Sequence, residues 1–152
     1  MSLSFPDPVS DSQFYHGVRA RRVAAFFVDL LVIVILLIGV IMIGAVVGVI
    51  TAGIGFVLLI PAIAVTGLVY RTTMVMERSA TLGMMLMGIE LRDARGSRLD
   101  GSTAFIHALA FTATLYLPPV LIASVGWAAI NPRGQTIPDA LCQTVMINRP
   151  ED

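Results

Sequence analysis

Apolar positions along the chain fall into three long blocks separated by short polar or glycine-rich breaks. In the first, residues 23–50 carry no charge except Asp29, and the run exceeds the roughly 20 apolar residues needed to cross a bilayer as a helix. The stretch TAGIG then makes a tight uncharged turn. A second apolar block over residues 54–70 contains Pro61, where a kink is expected, so the first two blocks predict a helical hairpin. The third, residues 103–130, is interrupted by Pro118 and Pro119. As one helix it would measure about 42 Å against a hydrocarbon core of about 30 Å. The pattern therefore predicts one kinked span with its first turns in the interface and Trp127 near the opposite boundary. The alternative is a broken re-entrant hairpin, which would bring the C-terminus back to the starting side.

These blocks predict an all-α membrane protein, a helical bundle of about three transmembrane helices with an interfacial loop carrying a short hairpin. Hydrophobic residues make up 57% of the 152 positions and charged residues 13%, outside ordinary soluble usage. The expected division is a flexible or interfacial segment over residues 1–21, a transmembrane domain over 22–147 and a polar tail over 148–152. Phe14 and Tyr15 are placed at the interface. The first block is too long for a secretory signal core and follows a polar stretch, so it is expected to stay as an anchor.

Between the second and third blocks, residues 71–101 turn polar and are expected to lie outside the hydrocarbon. Met84, Met85 and Met87 are expected against the membrane surface or the bases of the spans, because no histidine or cysteine stands near enough to make them metal ligands. The run GIELRDARGSRLDG alternates about a turn-prone centre at residues 94–97, which predicts a surface hairpin. It lacks the ending of a phosphate loop, so nucleotide binding is not expected.

Ten basic residues balance ten acidic ones, which argues against nucleic acid as a partner. All ten basic residues are arginines. Three of them precede the first block, five follow the second, and the turn between the blocks has none. That asymmetry places the N-terminus and the central polar segment in the cytoplasm. Arg133 and Arg149 give the tail only a weak inward pull. Cys142 is the single cysteine, so no internal disulfide forms.

Asp29 most needs a physical account. Seven residues beyond Arg22, it lies about 10 Å along the helix, and a carboxylate at the centre of a bilayer would cost about 2.5–3.5 kcal/mol. Helix side chains lean toward the N-terminus, so Arg22 leans away from Asp29 and a direct pair across two turns is not expected. The expected partner is His107, about six residues beyond the basic loop, with Thr112 or Thr114 completing a polar network. Gly44 and Gly48 make a small-xxx-small pair for close helix packing.

Arg22, Ala25 and Asp29 together resemble the Arg-x-x-Ala-x-x-x-Asp opening of the RDD family of small membrane proteins, named for one arginine and two aspartates. The segment ATLGMMLMGIELRDARG is similar to that family's pattern after its second span, and GQTIPDALCQTVMI to its ending. By this resemblance, which covers residues 22–147, Asp139 is the second aspartate, with Asp93 the weaker candidate. Pro138 stands where the family usually has histidine, and His107 where a third-span arginine is frequent. The resemblance implies ligand transport or cation and proton exchange.

Two functions follow as expectations. One is transport, with Asp29 exchanging a proton or cation on a path through His107 and Asp139; a chain with so few spans would then act as an oligomer, using the Gly44/Gly48 face. The alternative is an accessory or assembly subunit packed against a larger membrane complex. The bilayer is the first partner in either case, and the bacterial cytoplasmic membrane the expected location. No nucleophile with its base, metal-ligand cluster or pair of catalytic carboxylates emerges, so neither enzymatic activity nor a cofactor is expected.

Overall fold

A computed structural model describes Pro6 and residues 11–149. A short 3-10 turn at Ser12–Phe14 leads into α1, Val18–Ile50, and α2, Ile54–Arg78. Both helices are long and apolar enough to cross a membrane, with mean hydropathy of 3.4 and 1.9 over their best windows. α1 and α2 form the expected hairpin. Its turn needs a left-handed residue, supplied by Gly53 at φ +107°. α2 continues through Pro61 as helix and runs eight residues past Tyr70, so Arg71 belongs to the bundle and not to the polar segment.

Gly44 and Gly48 pack within the chain. A Cβ on Gly44 would come within 2.5 Å of the Leu59 side chain, and one on Gly48 within 2.7 Å of the Phe56 ring. Gly55 answers from α2, where a Cβ would meet the backbone nitrogen of Gly48 at 2.4 Å. This face therefore joins α1 to α2 and is not available for a contact between copies.

The third apolar block breaks into α4, Gly101–Tyr116, and α5, Pro118–Ile130, with a bend of 115° between them. Pro118 supplies no N–H, and it forces Leu117 out of the helical region to φ −116°, ψ 89°. The bend returns the chain. Gly101 starts α4 beside Met76 near the end of α2, and Asn131, just past α5, accepts a 2.7 Å hydrogen bond from Arg19 near the start of α1. The single kinked span is thus replaced by its re-entrant alternative, and Trp127, one turn before Asn131, lies toward the arginine-rich side instead of the far boundary.

Everything polar gathers at that side as a cap. α3, Leu82–Leu86, and β1, Ile89–Asp93, follow α2, while α6, Ile137–Leu141, and β2, Thr144–Asn148, follow α5. β1 and β2 pair antiparallel, with Leu91 opposite Met146. Residues 93–97 do make the expected turn, closed by Asp93 N–H donating to Ser97 O at 3.0 Å. However, β1 finds its partner in the C-terminal strand, 55 residues away by the Leu91 to Met146 register, and the local hairpin does not form. Ile89, Leu91, Val145, Met146 and Ile147 are buried between this sheet and its neighbours, a gain that a short exposed hairpin lacks.

The buried apolar core lies in the cap. Val18, Ala25, Val75, Ala80, Met84, Ile89, Leu91, Leu99, Ala104 and Met146 form it, with Met85 and Met87 packed alongside. By contrast, long stretches of α1 and α2 expose isoleucine, valine and leucine, as helices facing lipid do. The described part of the N-terminal segment is docked and not free: Asn148 Nδ2 donates to the carbonyls of Gln13 and His16 at 2.8 and 3.0 Å. Residues 1–5, 7–10 and 150–152, and with them most of the expected polar tail, lie outside the described residues.

Replacing Gly55 by alanine is expected to push α1 and α2 apart and to lower stability by about 1–3 kcal/mol, as overpacking does. Denaturation in detergent would read it, and unchanged stability would mean that the helices do not approach at this point.

Candidate functional site

Asp29 and Ala25 occupy one face of α1, one turn apart, and α3 packs against that face. Ala25 is 2% exposed, and a Cβ on Gly83 would meet the Ala25 carbonyl oxygen at 2.2 Å. Small residues on both sides let the backbones touch. The contact delivers the start of α3 to the Asp29 carboxylate. Oδ1 accepts from Gly83 N–H at 2.9 Å and from the Tyr70 hydroxyl at 2.8 Å, while Oδ2 accepts from the Thr81 hydroxyl at 2.6 Å.

Two of those partners have a second duty. Thr81 also caps α3 by accepting from Met84 N–H at 3.3 Å, and Tyr70 accepts from Leu82 N–H at 3.1 Å. Orphan donors at a helix start are therefore satisfied through the acid and its partners. Arg71 places Nη2 3.6 Å from Asp29 Oδ2 and stacks its guanidinium 3.9 Å from the centre of the Phe111 ring on α4. Asp29 is 2% exposed and Arg71 4%, so each charge is buried with a partner, as burial requires.

His107 is not that partner. The bend between α4 and α5 brings α6 back across α4, and His107 Nε2 lies 2.8 Å from Asp139 Oδ1. Asp139 Oδ2 forms an ion pair with Arg22 Nη1 at 2.7 Å and accepts from Thr136 N–H at 2.9 Å, the latter closing the first turn of α6. Burial alone would push the Asp139 carboxyl up. Arg22 together with His107 and Thr136 overcomes it and holds the carboxyl well below the usual carboxylate range.

The two clusters form one network, because Arg71 interacts electrostatically with Asp139 and Arg22 as well as with Asp29. Two aspartates face two arginines, so these four charges sum to zero. His107 is 2% exposed, and its Nδ1 is a buried nitrogen without a hydrogen-bond partner among the described residues. Arg22 also keeps a buried Nη2 without a partner, while its Nε and Nη1 reach Met146 Sδ and the Gly134 carbonyl.

The structure therefore brings together Arg22, His107 and Asp139, and links Asp29 to them through Arg71. Thr112 and Thr114 stay out of the network, since both hydroxyls donate to carbonyls one turn back on α4 at 2.7 and 2.8 Å. Asp93 also stays out, accepting from Arg95 and Ser97 N–H in its own turn. Tyr70, Arg71, Thr81 and Gly83 were not singled out in the sequence. The available signal was an arginine directly after an apolar run of ordinary span length, which fits a charge inside the helix as well as one beyond its end. Among the described residues, no group of three or more histidine, cysteine, aspartate or glutamate side chains gathers as a metal site.

Comparison with protein families matches the RDD family, a family of membrane proteins, over residues 17–143. The chain belongs to that family and is one of its membrane proteins. The matched span runs from the start of α1 to the start of β2 and includes all five ionisable members of the network, Arg22, Asp29, Arg71, His107 and Asp139. No curated protein and no solved structure matches the chain.

A double-mutant cycle on Asp29→Asn and His107→Ala is expected to show coupling near zero, whereas His107→Ala with Asp139→Asn should couple by about 0.5–3 kcal/mol, as residues in contact do. The reverse ranking would reject these pairings. Because folding lowers the pKa of the Asp139 carboxyl, its contribution to stability is full above the unfolded carboxylate value of about 4 and is lost as pH falls through the lower folded value. Melting curves from pH 7 down to acid should thus show a loss of stability below about pH 4 that shrinks in Asp139→Asn. An identical acid limb in wild type and variant would count against the ion pair.

Proposed function

We propose that the protein is a non-enzymatic, transport-related membrane protein that handles a proton or cation at its buried charged network, with the exchange centred on Asp139 and His107. The observation that carries this reading is the state of His107: it is buried, one nitrogen is on Asp139, and the other has no partner among the described residues. Imidazole is the side chain whose charge changes near neutral pH. Taking up a proton at Nδ1 would move the network from zero to one net positive charge, which shifts the balance between Asp139 and its two cations. Asp29 is less suited to exchange, since the groups that donate to its oxygens, Gly83 N–H and the Tyr70 and Thr81 hydroxyls, include no imidazole.

Few helices are available to wall an aqueous path, so this reading requires a homo-oligomer. With the Gly44/Gly48 face occupied by α2, the contact between copies falls on another apolar face. The location that fits is the bacterial cytoplasmic membrane, with the cap and the N-terminus in the cytoplasm. The support is the arginine distribution: the re-entrant turn brings Arg133 and Arg149 to the same side as the other eight arginines, which strengthens the charge asymmetry across the bilayer.

Saturation of Asp29 favours a second reading, an accessory or assembly subunit of a larger membrane complex in which the network serves only to hold the cap. Flux measurements in proteoliposomes separate the two. Under a pH gradient, His107→Ala is expected to lower proton-coupled cation flux by at least about tenfold, the low end of what a proton-transfer group contributes being larger still. Equal flux from wild type and His107→Ala, with stoichiometric larger partners retained through purification in mild detergent, would discard transport in favour of the accessory role.

A further inference from the structure

On the cap, away from the Asp29 and Asp139 network, a cavity of about 140 Å³ is lined by Arg78, Ala80, Met85, Ile89, Glu90, Arg98 and Arg149. We propose that this cavity binds a phosphate group. Its three arginines come from three separate places in the chain: the last residue of α2, the loop before α4 and the residue following β2. Tertiary folding alone brings them together. The backbone N–H of Arg149 donates to Gly88 O at 2.8 Å, which fixes the third arginine beside β1.

Among the described residues, charge at the cavity is not balanced internally. Glu90 is the one acid among the described lining residues, 3% exposed, and its carboxylate is engaged by Arg92, with Nε at 2.7 Å. The Arg78 guanidinium has a weak contact with Met85 Sδ at 3.9 Å. Three cations thus face a carboxylate that is already paired. Guanidinium groups recognise oxyanions through paired N–H donors, which fits phosphate better than a halide, and three guanidiniums together suit the multiple oxygens and charge of a phosphate.

Size and setting narrow the ligand further. The cavity is well below the roughly 300–1,000 Å³ of pockets that enclose whole small molecules, so it suits one phosphate group with the remainder outside. Leu82 and Leu86 on α3 are exposed at 37% and 70%, as is Met76 near the end of α2 at 49%. These residues lie close in sequence to the lining, Met76 two positions before Arg78 and Leu86 next to Met85. A phosphate carried on an anionic phospholipid would keep its glycerol and acyl chains beside them, and a free phosphate would use the same arginines without that contact.

The full-length protein, purified in an uncharged detergent, tests the site by binding of dioleoylphosphatidylglycerol, with dioleoylphosphatidylcholine and inorganic phosphate as the other probes, read by native mass spectrometry. Arg98→Gln and Arg149→Gln are each expected to weaken binding by about tenfold, the scale of one charge-assisted hydrogen bond. Arg95→Gln removes the same charge from the cap outside the cavity and is expected to change binding by less than about twofold, as a screened surface charge does. All three arginines are exposed, so the variants keep the fold, which their melting temperatures would verify. Phosphatidylglycerol binding with this arginine dependence assigns the site to lipid, and phosphate binding with the same dependence but no lipid binding assigns it to a free anion. Absence of binding by every probe, or equal losses in Arg95→Gln and Arg98→Gln, would overturn the proposal. The readout is independent of flux, so failure here leaves the transport reading untouched, and the reverse holds too.

Discussion

A carboxylate buried beside lipid has to be surrounded by donors, and the folding of the cap follows from how Asp29 meets that requirement. Its oxygens take Gly83 N–H, the Tyr70 hydroxyl and the Thr81 hydroxyl, with Arg71 alongside. Three of these four partners, Tyr70, Arg71 and Thr81, lie within twelve residues at the end of α2 and just beyond it. Satisfying the acid therefore fixes where α2 ends and where α3 begins. α3 then sets the position of β1, and β1 supplies the edge on which the C-terminal strand closes. A single desolvated charge orders segments that have little periodicity of their own.

Asp139 solves the same problem on the other side of the cap. It anchors the start of α6 through Thr136 and ties it to α1 through Arg22 and to α4 through His107. The two aspartates thus share a design in which each accepts from the opening of a short helix and pairs with a guanidinium, at 3.6 Å for Asp29 and 2.7 Å for Asp139, and Arg71 also feels the charge of Asp139. Short helices of five residues are marginal alone. Here the buried acids supply what propensity does not.

The motif that identifies the RDD family reads physically in these terms. Arg22 reaches Asp139, Ala25 leaves room for Gly83, and Asp29 receives the donors that this close approach brings. His107 stands where a third-span arginine is frequent in the family and, like an arginine, supplies a donor to Asp139. Its second ring nitrogen, Nδ1, is buried without a hydrogen-bond partner among the described residues. The arginine-lined cavity uses separate residues and a separate part of the cap.

Much of the bundle was legible from the chain alone. Length and lack of charge marked α1 and α2 as spans, the two glycines marked a close packing face, and Pro118 marked a break, because each rests on local chemistry within one turn or one run. Arg22, Asp29 and His107 were also conspicuous, as ionisable groups within or beside apolar runs, while Asp139 came only from the resemblance to the family's ending. The pairing among them was not legible. Which acid meets His107 depends on the 115° bend after Tyr116, and a proline in sequence announces an interruption without giving its direction. The strand GIELRD likewise carried its alternation openly, yet its partner, TVMIN, is 55 residues away by register and was chosen by the return of α5 to the arginine-rich side. Local propensity thus determined the spans, while the partners of the buried charges were decided only when distant segments had to share one desolvated space.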